Sequence, residues 1–403
     1  MSYLSTSTHF NNWIFSTDEL ARVRRLQHVK AQHTLRLERE EAPQTAPVSA
    51  ASSRRARSFA ALVPRSSTAV HDAFDSNDCV DADVSAQEEA EEKANLQRTP
   101  LVEFLSLEQE TLLRTFYEEK IQESCSAQFL RTSDKVKCCA LMLFKRFYLS
   151  NSVMEFHPKY VVPTVIYVAG KVEEQYISVD TVADQLHVDH RLIISHEMIV
   201  LEGVRFQLIM YHPFRALLGF LDDFRAFAKQ VLSKDLPATV LQKLHAESTT
   251  VLHEMLLTDL PLLHYPSYLA LAALWHVTDE VAASVGEKAG GLAKEDVLSY
   301  VQRSKFSKGQ QVDDVFRRLQ QITQAYDALT VAKRKDGEAA VLDRAKQVKR
   351  IYKKLKQFHN EDEGKKDKKA RNGDGKKKDK KRRDGSKDDK QKKKVKKQKT
   401  DKA

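Results

Sequence analysis

Apolar residues recur at intervals of three and four positions in the regularly patterned segments of this 403-residue chain, the spacing that lines one face of an α-helix. Two of these segments open with a capping box, Ser16 with Glu19 and Ser106 with Gln109, in which each side chain satisfies a free amide near the helix start. No segment offers a partner strand for a sheet. The pattern therefore predicts an all-α protein.

Residues 160–176, YVVPTVIYVAGKVEEQY, are apolar over about eleven positions and then become charged at Lys171, Glu173 and Glu174. The β-branched residues in this stretch favour a strand by propensity. Pro163, however, fits the first turn of a helix better than the interior of a sheet. We therefore predict a buried helix that is apolar on nearly all sides.

Two more helices are predicted from regularly spaced apolar residues. In SHEMIVLEGVRFQLIMYHPF, whose run ends near His212 and Pro213, one face is lined by Met198, Leu201, Val204 and Leu208. Near the C-terminus, a short heptad seam consists of Val341, Ala345, Val348, Tyr352 and Leu355. This seam must be buried against another element, and the N-terminal helix is one candidate.

After Pro213 the pattern starts again, because Pro266 and Tyr268 repeat Pro158 and Tyr160 at an offset of 108 residues. This repetition suggests two helical domains of roughly a hundred residues each. Between the first helix and Pro100 the chain has few aromatics and no sustained period, as disordered segments do. We divide the chain into an N-terminal helix region (1–31), a disordered insertion (32–100), a first fold (101–212), a second fold (213–335), a C-terminal helix (336–363) and a disordered Lys-rich tail (364–403).

Composition supports the helical assignment, since 12 glycines and 10 prolines are few for a chain rich in turns. The net charge of +10 is concentrated in the tail, where residues 364–403 carry roughly +14 and leave about −4 for the rest. The KKRR run at 380–383 predicts nuclear targeting and weak contact with nucleic acid. The alternative is a tail that only keeps the protein soluble.

Residues for catalysis or for metal binding are not found. The four cysteines form no CxxC pair, and the spacing of His187, His190, His196 and Glu197 does not place three ligands on one helix face. No nucleotide-binding loop or nucleophile motif occurs, so we expect no cofactor and no enzyme activity. With no apolar signal region and no apolar run long enough to cross a bilayer, we expect a soluble intracellular protein without a membrane partner.

Lys171 is the main candidate for a binding residue, and two interpretations remain open. In the first, it is a solvated cation that the helix dipole favours near a C-terminus. In the second, it is a docking point, because Ala169 and Gly170 are small and would let the backbone of a partner come close to the helix end.

The stretch LFKRFYLSNSVMEFHPKYVVPTVIYVAGKVEE resembles the cyclin box, and within the cyclin family it is most similar to the cyclin H group. WIFSTDELAR near the N-terminus resembles the same group. The similarity is strong over residues 101–215 and looser over 213–330. It implies two tandem five-helix cyclin folds with flanking N- and C-terminal helices.

The resemblance also implies a function, that of a non-catalytic subunit which binds and activates a cyclin-dependent kinase. The kinase implied is the kinase-activating kinase that also phosphorylates the C-terminal repeats of RNA polymerase II, together with a third assembly subunit. In cyclins a lysine and a glutamate grip the kinase, and at the matching positions of this chain they are Lys171 and Glu197.

The alternative function is direct binding of DNA by a general transcription factor of the TFIIB type, since such factors also contain two cyclin folds. They usually begin with a zinc ribbon and have basic folds. This chain has no CxxC pair, and its charge outside the tail is slightly negative.

Overall fold

The computed structural model describes residues 6–40, 103–286, 290–303, 312–335 and 338–359. These residues contain helices and no strand. The helices are α1 (Thr8–Trp13), α2 (Thr17–Glu40), α3 (Leu107–Ser124), α4 (Asp134–Ser150), α5 (Pro158–Val172), α6 (Val179–Leu186), α7 (His190–Gly203), α8 (Pro213–Gln230), α9 (Ala238–Leu256), α10 (Leu260–Leu263), α11 (Pro266–Val285), α12 (Lys294–Arg303), α13 (Val312–Lys335) and α14 (Glu338–His359). Within this part of the chain, no helix is both long and apolar enough to cross a membrane.

Both predicted capping boxes are present. The Ser16 hydroxyl accepts from the Glu19 amide while the Glu19 carboxylate accepts from the Ser16 amide, and Ser106 and Gln109 pair in the same way. The predicted end of the N-terminal helix at residue 31 is wrong, because α2 continues to Glu40. The rest of the predicted insertion and the whole Lys-rich tail lie outside the described residues.

Helix α5 is the centre of the first group of helices, α3 to α7, and packs against each of the other four. Its Val165 and Ile166 side chains are fully buried, and Pro158 occupies its first turn with Pro163 further inside. The helical prediction for this β-branched segment is therefore confirmed. Burial on all sides makes the local preference of valine for strands unimportant here.

Helix α11 is the centre of the second group of helices, as α5 is of the first, and packs against α8, α9, α12 and α13. Its apolar run from Tyr268 to Leu274 is buried. Like α5, it has proline in its first turn, as the repeat in the sequence indicated. The other domain boundaries that we drew from the sequence stay predictions.

Helix α7 differs from its prediction in its length and in its buried face. It ends at Gly203, and Arg205 and Phe206 then adopt left-handed backbone conformations with φ of 58° and 55°. Of the four residues predicted to line one face, Val204 is buried and Leu201 and Leu208 pack partly buried against the core, whereas Met198 is 56 % exposed. Ile193 and Val200 are also buried. Both faces of this helix carry apolar residues, so spacing alone does not identify the one that packs.

The C-terminal helix α14 is buried through Val348, Ile351, Leu355 and Phe358. The predicted seam thus included Val348 and Leu355, but it also included Ala345, which is exposed, and it missed Ile351. Its contacts are with the first group rather than with the N-terminal helix alone. The Phe358 ring packs against Phe104, Tyr352 against His157, and Arg344 donates to Glu119 at 3.0 Å.

The N-terminal segment joins the two groups of helices. Helix α2 packs against α3 and α4 of the first group. On the other side, the Phe15 amide donates to the Leu262 carbonyl at 2.8 Å, and both terminal nitrogens of Arg24 donate to the Asp259 carboxylate at 2.6 Å. This segment therefore helps to hold the second group against the first.

The absence of a side chain at Gly203 lets α7 pack closely against Phe147 of α4. An added Cβ atom at this position would lie 2.5 Å from Cδ2 of Phe147. We expect Gly203→Ala to lower the free energy of unfolding by about 1–3 kcal/mol through overpacking, as measured by urea denaturation. Gly219 on α8 is the control, since nothing lies within 4 Å of its added Cβ. Gly219→Ala should raise stability by up to about 1 kcal/mol, and equal effects of the two changes would contradict the close contact.

Candidate functional site

The charged end of α5 lies next to α7 in the structure. The Lys171 ammonium donates to Oε1 of Glu197 at 2.6 Å, which joins the two residues that the sequence comparison with cyclins had selected. The Lys171 side chain is 49 % exposed and that of Glu197 is 24 % exposed. The pair is thus formed in the free chain and remains open to solvent and to a partner.

The ammonium of Lys171 also lies over the Tyr167 ring, 4.3 Å from its centroid. Partial burial acts to lower the pKa of Lys171, but hydrogen bonds to Glu197 and Tyr167 outweigh it and raise the pKa above its ordinary value. Lys171 is therefore charged at neutral pH. Its position is held by an aromatic face and a carboxylate together.

The two glutamates that follow Lys171 have different environments. Oε1 of Glu173 accepts a hydrogen bond from Nε2 of His212 at 2.8 Å, and both side chains are largely buried. Glu174 is in a left-handed turn with φ of 55°. At the end of α5, Lys171 therefore contacts α7. Glu173 instead contacts His212, which directly precedes α8.

Ala169 and Gly170 do not provide the close approach for a partner that their small size suggested. Both are buried, and an added Cβ at Gly170 would lie 3.0 Å from the Gln175 carbonyl and 3.1 Å from the Ile177 side chain. The Gln175 amide also donates to the Gly170 carbonyl at 2.9 Å. These small residues admit a loop of the same chain, so this part of the docking hypothesis is wrong.

Exposed apolar side chains accompany Glu197 on α7, and the sequence did not identify them as exposed. Ile194, Glu197 and Met198 share one face of α7, with Ile194 51 % and Met198 56 % exposed. Three residues beyond the end of α7, the Phe206 side chain is 57 % exposed. Exposed apolar side chains that are grouped on one surface mark sites where another protein binds.

Of the histidines near α7, His196 has partners within the chain. Nδ1 of His196 lies 2.8 Å from the Leu192 carbonyl, its ring packs against Tyr160, and burial lowers its pKa. His187 occupies the left-handed position after α6. Among the described residues, no three histidines, cysteines or acids are grouped so that they could hold a metal ion.

Comparison with known proteins gives a consistent result. Residues 212–330 match the family model of the cyclin C-terminal domain. The chain is 41 % identical over 170 residues to Cyclin-H1-1 of Arabidopsis thaliana, covering 42 % of this chain and 49 % of that protein. It is 32 % identical over 183 residues to Cyclin-H of Xenopus laevis, covering 43 % and 54 %. The aligned region thus spans about half the length of these relatives.

Two solved structures share the fold. One belongs to the CAK complex of Chaetomium thermophilum bound to ATP-γ-S, with a TM-score of 0.60, 19 % identity, and coverage of 97 % of this chain and 100 % of that one. The other belongs to the yeast TFIIK complex of Kin28, Ccl1 and Tfb3, with a TM-score of 0.51, 20 % identity, and coverage of 80 % and 99 %. At these identities the likeness establishes the cyclin architecture of the described helices.

Proposed function

We propose that this chain, whose residues 212–330 match the cyclin C-terminal domain, is a cyclin and the regulatory subunit of a cyclin-dependent kinase of the kinase-activating type. The observation that carries the proposal is the exposed Lys171–Glu197 pair among exposed apolar side chains on α7. The similarity to cyclin H proteins of a plant and a vertebrate supports the same conclusion. The substrates proposed are other cyclin-dependent kinases and the C-terminal repeats of RNA polymerase II.

The mechanism follows from what a protein kinase requires. A catalytic lysine and a glutamate on the regulatory helix of the kinase must pair before ATP is held correctly. A partner that binds only the paired state shifts the equilibrium towards it by its difference in affinity for the two states. We infer that Ile194, Met198 and Phe206 supply apolar contact area, while Lys171 and Glu197 fix the orientation.

Catalysis belongs to the kinase in this proposal, and the chain contributes binding alone. A third subunit is proposed as well, because the yeast complex that shares this fold contains three proteins. Affinity purification of the full chain from its own cells tests the proposal. A cyclin-dependent kinase and a third protein should co-purify, and the purified complex should phosphorylate a polymerase repeat peptide. A preparation without any kinase would contradict the proposal.

The DNA-binding alternative has less support from the described surface. The most evident exposed feature there is a balanced ion pair with apolar neighbours rather than a basic groove. Its specific test is an electrophoretic shift with duplex DNA. Binding that survives removal of the tail would favour the alternative.

The Lys-rich tail is proposed to direct the chain to the nucleus. Deleting residues 364–403 should reduce nuclear accumulation of a fluorescent fusion and leave kinase activation intact, because the tail lies outside the helices that carry the proposed surface. Replacing KKRR at 380–383 with glutamines should have most of the effect of the deletion, and the same replacement of KKK at 392–394 is the control. Unchanged localisation after the deletion would count against nuclear targeting.

A further inference from the structure

A cleft of about 470 Å³ has walls to which neither Lys171 nor Glu197 contributes. Pockets that bind ligands have volumes of roughly 300–1,000 Å³, so this one has room for more than an ion. Its walls include the apolar side chains of Phe10, Met210 and Tyr265. Two exposed cations, Lys135 at the start of α4 and Arg215 in the first turn of α8, also line it.

Two long helices begin at this cleft, α8 at Pro213 and α11 at Pro266. The residues before them, His212 and Tyr265, make no side-chain capping hydrogen bond. The first turn of a helix has amides without an intrahelical acceptor and carries the positive end of the helix dipole. Both helices therefore favour negative charge in the same space.

A buried imidazole at the cleft has a donor without an acceptor. His9 is 3 % exposed, and its Nδ1 accepts a hydrogen bond from the Tyr211 amide at 3.1 Å. Burial, together with the nearby charge of Arg146, lowers the pKa of His9 to about 3, so the ring is neutral and its proton is on Nε2. Within the described residues Nε2 has no hydrogen-bond partner. The Nε2 atom is closed to solvent in the free chain, so a ligand that shifts the wall of the cleft would supply the acceptor that it lacks.

A second buried group near His9, the guanidinium of Arg146, carries a positive charge without a paired carboxylate among the described residues. The Arg146 side chain is fully buried, and its Nη1 donates to the Gln207 carbonyl at 3.2 Å. Its guanidinium lies over the Trp13 ring, 4.9 Å from the centroid, but Nε and Nη2 have no hydrogen-bond partner in the described part of the chain, and no carboxylate there forms an ion pair with it. A buried cation of this kind is stabilised by an anion held nearby.

We propose that the cleft binds the phosphoryl group of a phosphorylated serine or threonine in a partner peptide. The cations, the two helix starts and the His9 donor suit the phosphoryl oxygens, and the apolar walls suit a neighbouring side chain of the peptide. Glu173 also lines the cleft, but its carboxylate accepts a hydrogen bond from His212 and is thereby partly neutralised. A single strand of nucleic acid would instead call for a basic groove that follows the backbone with successive stacking rings.

The test uses the full chain without a kinase, so its result is separate from the proposed activation. The immobilised protein is exposed to a degenerate peptide library with a central phosphothreonine and to the same library without phosphate. We expect the phosphorylated library alone to be retained. Peptides enriched from it are then synthesised with a fluorescent label, and their affinity is measured by anisotropy.

Arg215→Ala should weaken binding of an enriched phosphopeptide at least tenfold, the loss expected for one hydrogen bond to a charged group. Arg225→Ala is the matched control, because Arg225 is an exposed arginine on the same helix, ten residues further on. It should leave the affinity unchanged. The ¹⁵N resonance of His9 Nε2 should shift when the phosphopeptide binds.

Each contrary outcome overturns the proposal. Equal retention of the two libraries, or equal affinity of the Arg215→Ala and Arg225→Ala variants, would show that no phosphoryl group is recognised at the cleft. Inorganic phosphate should bind at least tenfold more weakly than the peptide, and equal affinity would assign the site to the free anion. A short RNA that binds more tightly than the phosphopeptide, and loses binding with Arg215→Ala, would exclude the peptide as the ligand.

Discussion

Lys171→Ala is expected to weaken binding of the kinase about thirtyfold or more while it leaves the stability of the chain almost unchanged. In the proposed complex the contact is dry, and removal of one charged partner from such a contact costs about 2–5 kcal/mol. The lower value corresponds to about thirtyfold at tenfold per 1.4 kcal/mol. In the free chain the Lys171–Glu197 pair is substantially exposed, where an ion pair contributes about 0–1 kcal/mol. Glu197→Ala should behave in the same way.

The measurement uses the purified complex of cyclin and kinase, because a third subunit would mask the loss by avidity. Lys120→Ala is a close control. Lys120 forms an ion pair with Glu123, also at 2.6 Å, and its side chain is 48 % exposed against 49 % for Lys171. If Lys171→Ala and Glu197→Ala bind and activate the kinase as the unchanged chain does, the pair is only a solvated helix end and our assignment is wrong.

Lys145→Met is expected to lower the free energy of unfolding by about 3–5 kcal/mol at neutral pH, which is the cost of leaving a buried charge unpaired. Nζ of Lys145 on α4 lies 2.6 Å from Oε2 of Glu118 on α3, and the two side chains are 3 % and 10 % exposed. Methionine replaces the apolar part of lysine well, so the lost countercharge dominates the effect. Urea unfolding followed by circular dichroism measures the change.

The pH dependence of this variant has a definite sign. Burial raises the pKa of Glu118 above its ordinary value of 4.5 against the opposing charge of Lys145. A carboxyl whose pKa is raised by folding contributes stability that is present below the unfolded pKa and is lost as the pH rises through the folded pKa. Without Lys145 the pKa rises further. The loss in free energy of unfolding caused by Lys145→Met should therefore become smaller as the pH falls towards 4.5.

The double variant Glu118→Leu/Lys145→Met supplies the control, because both charges are removed together. It should recover most of the free energy of unfolding at neutral pH. The remaining difference from the unchanged chain should not become smaller in acid, because the double variant has no Glu118 to take up a proton, while Arg114 and Asp259 are present in both proteins. A double variant as unstable as the single one would mean that packing rather than charge explains the loss.

The local features of this chain could be predicted from its sequence. Capping boxes at Ser16 and Ser106 involve side chains three residues apart, so both partners are visible in one short segment. The helix over 158–172 was predicted correctly, but Pro163 lies inside it, and Pro158 rather than Pro163 occupies its first turn. Lys171 and Glu197 came from the resemblance to cyclins, and the structure brings them together.

What could not be predicted depends on contacts between distant segments. Met198 and Val200 are both apolar, and only the packing of α7 against α4 and α5 decides that Val200 is buried and Met198 exposed. Gly170 looked like a gap for a partner because the loop that fills it comes from residues 175–177. In the same way, nothing near Glu173 in the sequence indicates that its partner is His212.

The hydrogen bonds between Arg24 and Asp259 impose an order on the synthesis of the chain. The two residues are 235 positions apart, and a ribosome adding 5–20 residues per second needs about 10–50 s to travel from one codon to the other. During that time the N-terminal helix is already outside the ribosome while its acceptor has yet to be translated. The Arg24–Asp259 hydrogen bonds can form only after α8 and α9 have been translated, whereas α3 and α4, against which α2 also packs, are synthesised much earlier. The N-terminal segment can therefore pack onto the first group during synthesis and is joined to the second group only afterwards.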